Sequence, residues 1–188
     1  MKNSELFSYV EAKVAAVEER LLTVEELDKL PDPPGGRYEL HHGTPYIVTF
    51  PKHGHKNIQR RLRQLLEPLA EDTGVVETEV SYRPLAEHEL WSADVAFVSR
   101  DRWAAIDTQG WLQGSPELVV EVRSPSNTKA ELDDKCMTAL AGGCQEFWVV
   151  DPKTRTVRIT SGKGVRIYDE ASKIPVSQSQ LMVAEIFV

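Results

Sequence analysis

Long apolar runs and cysteines are both scarce in this sequence, and each scarcity excludes a class of protein. No apolar segment approaches the ~20 residues that a membrane-spanning helix requires, so we expect no membrane association. Residues 1–7 lack the apolar core of a secretory signal peptide, which predicts a cytoplasmic protein. The two cysteines, Cys136 and Cys144, form neither a short metal-binding pair nor a disulfide framework. We therefore expect reduced, buried thiols.

Positively charged residues are also fewer than negatively charged ones. The 22 lysines and arginines are outnumbered by 29 aspartates and glutamates, and the net charge of −7 argues against nonspecific binding of polyanions. There is no glycine-rich phosphate-binding loop, and neither Ser124 nor Ser126 lies in a Gly-x-Ser-x-Gly nucleophile elbow. These two serines are instead expected to shape a turn and cap a helix.

The sequence does contain enough apolar material for one folded domain, since 41% of its 188 residues are hydrophobic. Capping-box patterns at 23–26 and 128–131 predict the starts of two helices. Apolar residues at helical spacing predict a further helix over 54–70. The other predicted elements are a helix over 4–20, a hairpin over 37–50, strands over 75–81, 92–98, 117–122 and 146–150, and a C-terminal hairpin within 154–187.

The order of these elements predicts an α/β (α+β) fold with a central mixed β-sheet flanked by helices. The core order is helix, three strands, helix, strand, preceded by N-terminal helices and a hairpin. A strand–helix–strand crossover between 117 and 150 implies that one pair of strands is parallel. We expect residues 1–21 to form a helical extension and residues 22–188 to form the domain itself.

Two carboxylates lie within apolar strands, where an unpaired charge costs several kcal/mol. These are Asp94, in the segment 93–98, and Glu121, in the segment 117–122. If the two strands pair side by side, the carboxylates lie about 5 Å apart and need a cation or a proton between them. A hard divalent cation such as Mg²⁺ prefers oxygen ligands, and the carbonyl of Val122 is a candidate third ligand.

Lys135 is the candidate cation that accompanies these acids. On the predicted helix it borders the apolar face, so its ammonium can lean over the sheet edge beside the carboxylates. There it would orient an attacking water or offset the charge on phosphorus. The alternative is a surface lysine whose aliphatic stem covers the core.

These residues together resemble the Uma family of the restriction-endonuclease-like superfamily, the PD-(D/E)XK nucleases. The resemblance runs from about residue 22 to the C-terminus and implies the superfamily's αβββαβ core. It also implies a Mg²⁺-dependent endonuclease, with Mn²⁺ as an alternative cation, that acts on DNA and forms a homodimer. The segments that carry the resemblance are 37–43, His55, 93–94, 116–126, Lys135 and 146–152.

Position by position, Asp94 and Glu121 match the acidic residues of the motif. Arg123 stands where the superfamily usually has lysine, and Lys135 matches a lysine that this family supplies from the next helix. Glu39 matches an additional acidic position near the metal. Three positions depart from the family pattern, namely Ala93 for proline, Thr44 for an acid and Ala139 for tyrosine, and none of them removes a proposed metal ligand.

Several basic side chains are candidates for holding a nucleic-acid backbone, although the sequence leaves alternatives open for each. The candidates are Lys52, His55, Lys56, Arg60 and Arg123. The cluster at 52–63 also fits a solvated helix face. His55 also fits a hydrogen-bonded core histidine, Arg123 a brace for the turn at 124–126, and Glu39 a solvent-facing strand residue.

The leading hypothesis is therefore a Mg²⁺-dependent endonuclease acting on DNA. A second hypothesis is a nucleic-acid-binding or protein-interaction module that keeps the fold with weak or no catalysis, which the acidic net charge and Ala139 favour. A third is a metal-dependent hydrolase of another substrate, because fold alone does not decide the chemistry.

Overall fold

The computed structural model of the protein describes residues 20–177 and 179–188. The chain divides into two compact units. Among the described residues, the first consists of residues 20–50 together with Ala86–Trp91, and the second consists of Pro51–Leu85 together with Ser92–Val188. Of the helix predicted over 4–20, only residue 20 is among the described residues, so that helix and the predicted boundary after residue 21 stay predictions.

The first unit contains a short helix, α1 (Val24–Leu27), and a hairpin of β1 (Gly36–His41) and β2 (Thr44–Thr49). Thr23 and Glu26 form the predicted capping box at the start of α1. The hairpin turns at His42 and Gly43, whose φ angles of 51° and 76° lie in the left-handed region. Glycine adopts this region at little cost, which explains its place between the two strands.

The second unit is built on a seven-stranded sheet of the order β5-β3-β4-β6-β7-β8-β9. Strands β4 and β6 are antiparallel, β6 and β7 are parallel, and β7, β8 and β9 continue antiparallel, so the sheet is mixed. The strands are β3 (Gly74–Arg83), β4 (Trp91–Ser99), β5 (Leu112–Gln113), β6 (Leu118–Val122), β7 (Glu146–Asp151), β8 (Thr156–Ser161) and β9 (Gly164–Tyr168).

Helices cover both faces of this sheet. On one face, Leu62 and Leu66 of α2 (His53–Ala70) pack in a core with Val120 and Trp148. On the other face, α4 (Lys129–Ala141) pairs its Asp133 with Arg158 of β8. The remaining elements are α3 (Arg100–Ala104), the hairpin β10 (Lys173–Val176) and β11 (Ser179–Met182), and a 3₁₀ helix (Val183–Phe187).

The structure confirms the predicted fold class and the core order of helix, three strands, helix, strand. The parallel pair across the crossover is β6 and β7, and the predicted capping box at Thr128 and Glu131 begins α4. The sequence did not predict α3 or β5, which lie between the second and third core strands. Both cysteines are free and buried, as expected. Within the described residues, no helix is both long and apolar enough to cross a membrane.

Candidate active site

The candidate site lies where the ladder between β4 and β6 ends. The last antiparallel pair is Val95 with Val120, so Asp94 and Glu121 are the next residues along the same register. Beyond this pair the link between the strands is made by a side chain: the Asp94 Oδ2 accepts a hydrogen bond of 2.7 Å from the Val122 N–H. The carboxylate of Asp94 is thereby fixed at the end of β6.

The other oxygen of Asp94 faces helix α2. The Gln59 Nε2 donates to Asp94 Oδ1 over 2.8 Å, and the His55 Nε2 lies 2.9 Å from the same oxygen. His55 and Gln59 are four residues apart, which puts both on one side of the helix. Burial alone lowers the pKa of His55, but the hydrogen bond and charge of Asp94, with the charge of Glu79, outweigh burial and raise that pKa.

Glu121 is contacted by Lys135 of α4, which packs on the opposite face of the sheet. Its Oε1 lies 3.0 Å from the Lys135 Nζ, and the same ammonium donates to the Ser92 carbonyl over 2.7 Å. The side chains of Lys135 and Glu121 are only 12% and 10% exposed. Lys135 therefore leans over the end of the sheet beside β4 and β6 and is not an open surface lysine.

The donor chemistry at this position fits a hard divalent cation. Asp94 and Glu121 supply carboxylate oxygens, and Mg²⁺ typically takes one or two carboxylates while keeping waters and substrate phosphates. The N–H of Val122 donates to Asp94 of β4, and the carbonyl of a strand residue points to the same side as its N–H, so this carbonyl points to the β4 side of β6. Among residues 20–177 and 179–188, no group of three or more His, Cys, Asp or Glu side chains is arranged to hold a metal. Two carboxylates and a carbonyl are compatible with that finding.

The predicted basic cluster divides into two sets. Lys52, Lys56 and Arg60 are exposed and recur every four residues at the start of α2, so they form one basic stripe. Arg61 and Arg63 are instead held within the protein by a backbone carbonyl and by carboxylates. His55, which was also predicted to contact nucleic acid, is turned toward Asp94, and a role in nucleic-acid binding stays a prediction.

Arg123 follows the last residue of β6 and pairs with Asp151 at the end of β7. Its NH1 donates to Asp151 Oδ2 over 2.8 Å, while its own side chain is 46% exposed. The Asp151 Oδ1 also accepts from the backbone N–H groups of Lys153 and Thr154. Arg123 therefore braces the two strand ends, and its exposed surface leaves a phosphate contact as a prediction.

Glu39 belongs to the first unit, where it is 4% exposed. Its Oε2 lies 2.9 Å from the His41 Nε2, and its Oε1 lies 3.6 Å from Arg37. The ring of His41 also stacks on Trp91 with centroids 3.9 Å apart. Glu39 is thus a buried, paired carboxylate and not a solvent-facing strand residue, and its predicted part in metal binding stays a prediction.

Sequence reasoning missed two polar residues that contact the site. Gln59 is 3% exposed and donates both to Asp94 and to Glu79 of β3. Its position one turn after His55, on the inner side of a helix, was a signal that could have identified it. The sequence held no comparable signal for Glu79, because its orientation depends on a backbone irregularity: its φ is 56° within β3.

Comparison with protein families identifies the chain. Residues 24–182 match the Uma2 family model, whose description is "Putative restriction endonuclease". The chain belongs to the Uma2 family. The resemblance drawn from the motif residues is thereby confirmed, and Uma2 membership supports a nuclease-type protein.

A solved structure supports the Uma2 fold independently. It is described as "a putative nuclease belonging to DUF820" from Anabaena variabilis, and it superposes with a TM-score of 0.75. The match covers 88% of this chain and 97% of that one at 18% sequence identity. At this identity the likeness shows the shared fold alone. No curated protein matches the chain significantly.

Proposed function

We propose that this Uma2 protein is a Mg²⁺-dependent endonuclease that hydrolyses DNA phosphodiester bonds. The observation that carries the proposal is the convergence of Asp94, Glu121 and Lys135 at the end of β4 and β6. Three residues from different parts of the chain place two acids and one ammonium at the same end of a sheet. Family membership supports nuclease chemistry, the cation is inferred from the donor set, and DNA as the substrate is inferred from the resemblance to the restriction-endonuclease-like superfamily.

Asp94, Glu121 and the Val122 carbonyl would hold the cation, either Mg²⁺ or Mn²⁺. When bound, the cation supplies positive charge that polarises a water and offsets charge on the phosphate. Asp94 and Glu121 follow the last pair of the β4–β6 ladder, and the Val122 N–H and Gln59 already fix Asp94 there. Ligands that are already fixed in this way need little rearrangement when the cation binds.

Lys135 would orient the attacking water and balance charge in the transition state. Its Nζ donates to the Ser92 carbonyl and lies 3.0 Å from the Glu121 Oε1, and an ammonium at this position would attract a water or a phosphate oxygen as an N–H donor. Attack of water on phosphorus breaks the bond to the 3′ oxygen, which leaves as a hydroxyl after taking up a proton. The products are a 5′-phosphate and a 3′-hydroxyl.

DNA would be held chiefly through its backbone. The exposed stripe of Lys52, Lys56 and Arg60 offers three cations along one side of α2, and phosphate contacts carry no sequence information. Arg123 would add a contact at the strand ends.

We also propose that the protein acts as a homodimer, by analogy with superfamily nucleases, and light scattering tests this directly.

The test is cleavage of supercoiled plasmid with Mg²⁺ or Mn²⁺, with chelator as the blank. We expect Glu121→Gln and Lys135→Ala to lower the cleavage rate at least 100-fold. Lys129→Ala is the matched control, because Lys129 lies on the same helix and its side chain is 82% exposed. We expect this variant to cleave the plasmid like the wild type. Equal cleavage by Lys135→Ala and the wild type would remove the proposed site.

The same assay distinguishes the rival functions. Salt-dependent DNA binding without cleavage under any divalent cation would indicate a binding module on this fold. Hydrolysis of small phosphodiesters without cleavage of DNA or RNA would indicate a different hydrolase.

A further inference from the structure

Gln59 lies between two carboxylates that come from neighbouring strands. Its Nε2 donates to Asp94 Oδ1 over 2.8 Å and also to Glu79 Oε1. Gln59 is 3% exposed, so both bonds form away from bulk solvent. A side-chain amide nitrogen carries two N–H donors and no charge, and here both donors are used on acids.

The position of Glu79 depends on an irregular backbone. Glu79 has a φ of 56° inside β3, a conformation that non-glycine residues seldom adopt in a strand. Irregularities of this kind redirect a side chain and are concentrated near functional sites. In this protein the redirected carboxylate meets Gln59, so the strained residue serves as a partner to the amide.

The two acids of the proposed metal site are therefore held in different ways. Glu121 faces the Lys135 ammonium, whereas Asp94 is held by a neutral amide and a backbone N–H in addition to His55. A neutral donor fixes the orientation of a carboxylate without cancelling its negative charge. Asp94 thus keeps more of its charge for a cation than a lysine or arginine at position 59 would allow.

We propose that Gln59 and Glu79 are positioning residues of the metal site. Glu79 anchors the amide of Gln59, and Gln59 fixes the Asp94 carboxylate in the orientation that binds the cation. Neither residue touches the cation or the substrate. The inference rests on the proposed function, because it assumes that Asp94 is a metal ligand.

The test is Mn²⁺ binding measured by isothermal titration calorimetry in the absence of DNA, with thermal unfolding of each variant recorded alongside. Gln59→Met keeps the length of the side chain but has no N–H donors, and we expect its Mn²⁺ affinity to fall 10- to 100-fold. Glu79→Met should cause a smaller loss in the same direction. Because Glu79 acts through Gln59, the double variant should bind Mn²⁺ no more weakly than Gln59→Met alone.

Arg63→Met is the matched control. Arg63 lies one turn after Gln59 on α2, and its NH1 lies 3.0 Å from the Oε1 of Glu77, which is on β3 like Glu79. It therefore makes an equivalent contact between helix and strand, and this contact does not involve Asp94. Its Mn²⁺ affinity should stay within twofold of the wild type even if its melting temperature falls. If Gln59 had only a structural role, Gln59→Met and Arg63→Met would lose Mn²⁺ affinity to the same extent.

Two outcomes would overturn the inference while leaving the proposed function intact. One is a Gln59→Met protein that binds Mn²⁺ as tightly as a wild type that also cleaves DNA. The other is an equal loss of affinity in Gln59→Met and Arg63→Met. A wild type that binds no Mn²⁺ would instead overturn the proposed function, and the inference with it.

Discussion

Glu121 and Lys135 are both members of the proposed active site and partners in a nearly buried ion pair. Each is nearly buried, and dehydrating either charge alone costs several kcal/mol. Their separation of 3.0 Å offsets that cost, and the Ser92 carbonyl accepts another bond from the ammonium. The pair is therefore tolerated inside the fold, and each member depends on the other.

This dependence predicts that Lys135→Met destabilises the protein by about 3 kcal/mol at pH 7, because Glu121 loses its cation while it stays buried. Adding Glu121→Gln should restore part of the loss, since the remaining group is neutral. Urea unfolding of the two variants and the wild type measures this. Equal stability of Lys135→Met and the wild type would show that Glu121 does not rely on the ammonium.

The sequence allowed the acids and the lysine to be placed but not the residues that hold them. Alternation along the strands and helical spacing indicated Asp94, Glu121 and Lys135 as candidates, and the resemblance to the Uma family supplied their expected roles. Glu79 depends on a local left-handed φ, and no pattern of residue types predicts where a strand breaks its alternation. Gln59 carried a weaker signal, namely its position one turn after His55 on the inner side of α2.

Helix α2 is the element that joins the two proposed tasks of binding and metal support. Its inner side carries His55 and Gln59, which reach Asp94, and its outer side carries an exposed basic stripe. The stripe consists of Lys52, Lys56 and Arg60. A phosphate bound along this stripe would lie on the same element that holds the acidic site.

We predict that the triple variant Lys52→Gln/Lys56→Gln/Arg60→Gln binds DNA more weakly, with a flatter salt dependence. Each lost phosphate contact reduces the slope of log K against log salt by about 0.9, so the slope should change by about 2 to 3. Fluorescence anisotropy across a salt series measures it. An unchanged slope would show that DNA contacts a different surface.

The C-terminal end of α4 depends on a close approach that only glycine permits. A Cβ at Gly142 would lie 2.6 Å from the Pro84 carbonyl oxygen and 2.5 Å from the Ser115 Oγ. We therefore predict that Gly142→Ala destabilises the protein by about 1 to 3 kcal/mol. Gly162→Ala is the control, because nothing lies within 4 Å of its Cβ. Equal unfolding midpoints in urea for the two variants would contradict the prediction.

Elements with their own sequence signal were predictable, and those that depend on neighbours were not. The boxes at Thr23 and Thr128 begin helices because each satisfies backbone N–H groups locally. The two-residue strand β5 has too few residues to show any alternation, and it exists because it pairs with β3. Tertiary context alone specifies such a strand.

At the scale of the whole molecule, several carboxylates are held in their charged form. Hydrogen bonds from Lys129 and Arg158 lower the pKa of Asp133 below its ordinary value of 3.8. Burial raises the pKa of Asp151, but hydrogen bonds from Arg123 and two backbone N–H groups outweigh burial and leave that pKa lowered. A depressed carboxylate pKa stabilises the folded state above the ordinary pKa.

We therefore predict that the contribution of these carboxylates to stability is constant near neutral pH and falls as the pH drops below about 4, because protonation removes these interactions. Arg158→Gln should weaken the acid dependence, since Asp133 loses one of its partners. The exposed Arg166 of β9 supplies the control variant Arg166→Gln. Urea midpoints between pH 6 and pH 2.5 measure this, and a midpoint that does not move over that range would refute it.

The bond from Asp94 to the Val122 amide has a practical consequence for loss-of-function experiments. Asn at position 94 can keep that bond by turning its oxygen toward Val122, but its NH₂ group then faces the NH₂ group of Gln59. Two donors would oppose each other inside the protein, and a buried donor without an acceptor is costly. Asp94→Asn is therefore a substitution that perturbs folding as well as charge, so its unfolding midpoint must be compared with that of the wild type before a loss of cleavage is assigned to the charge.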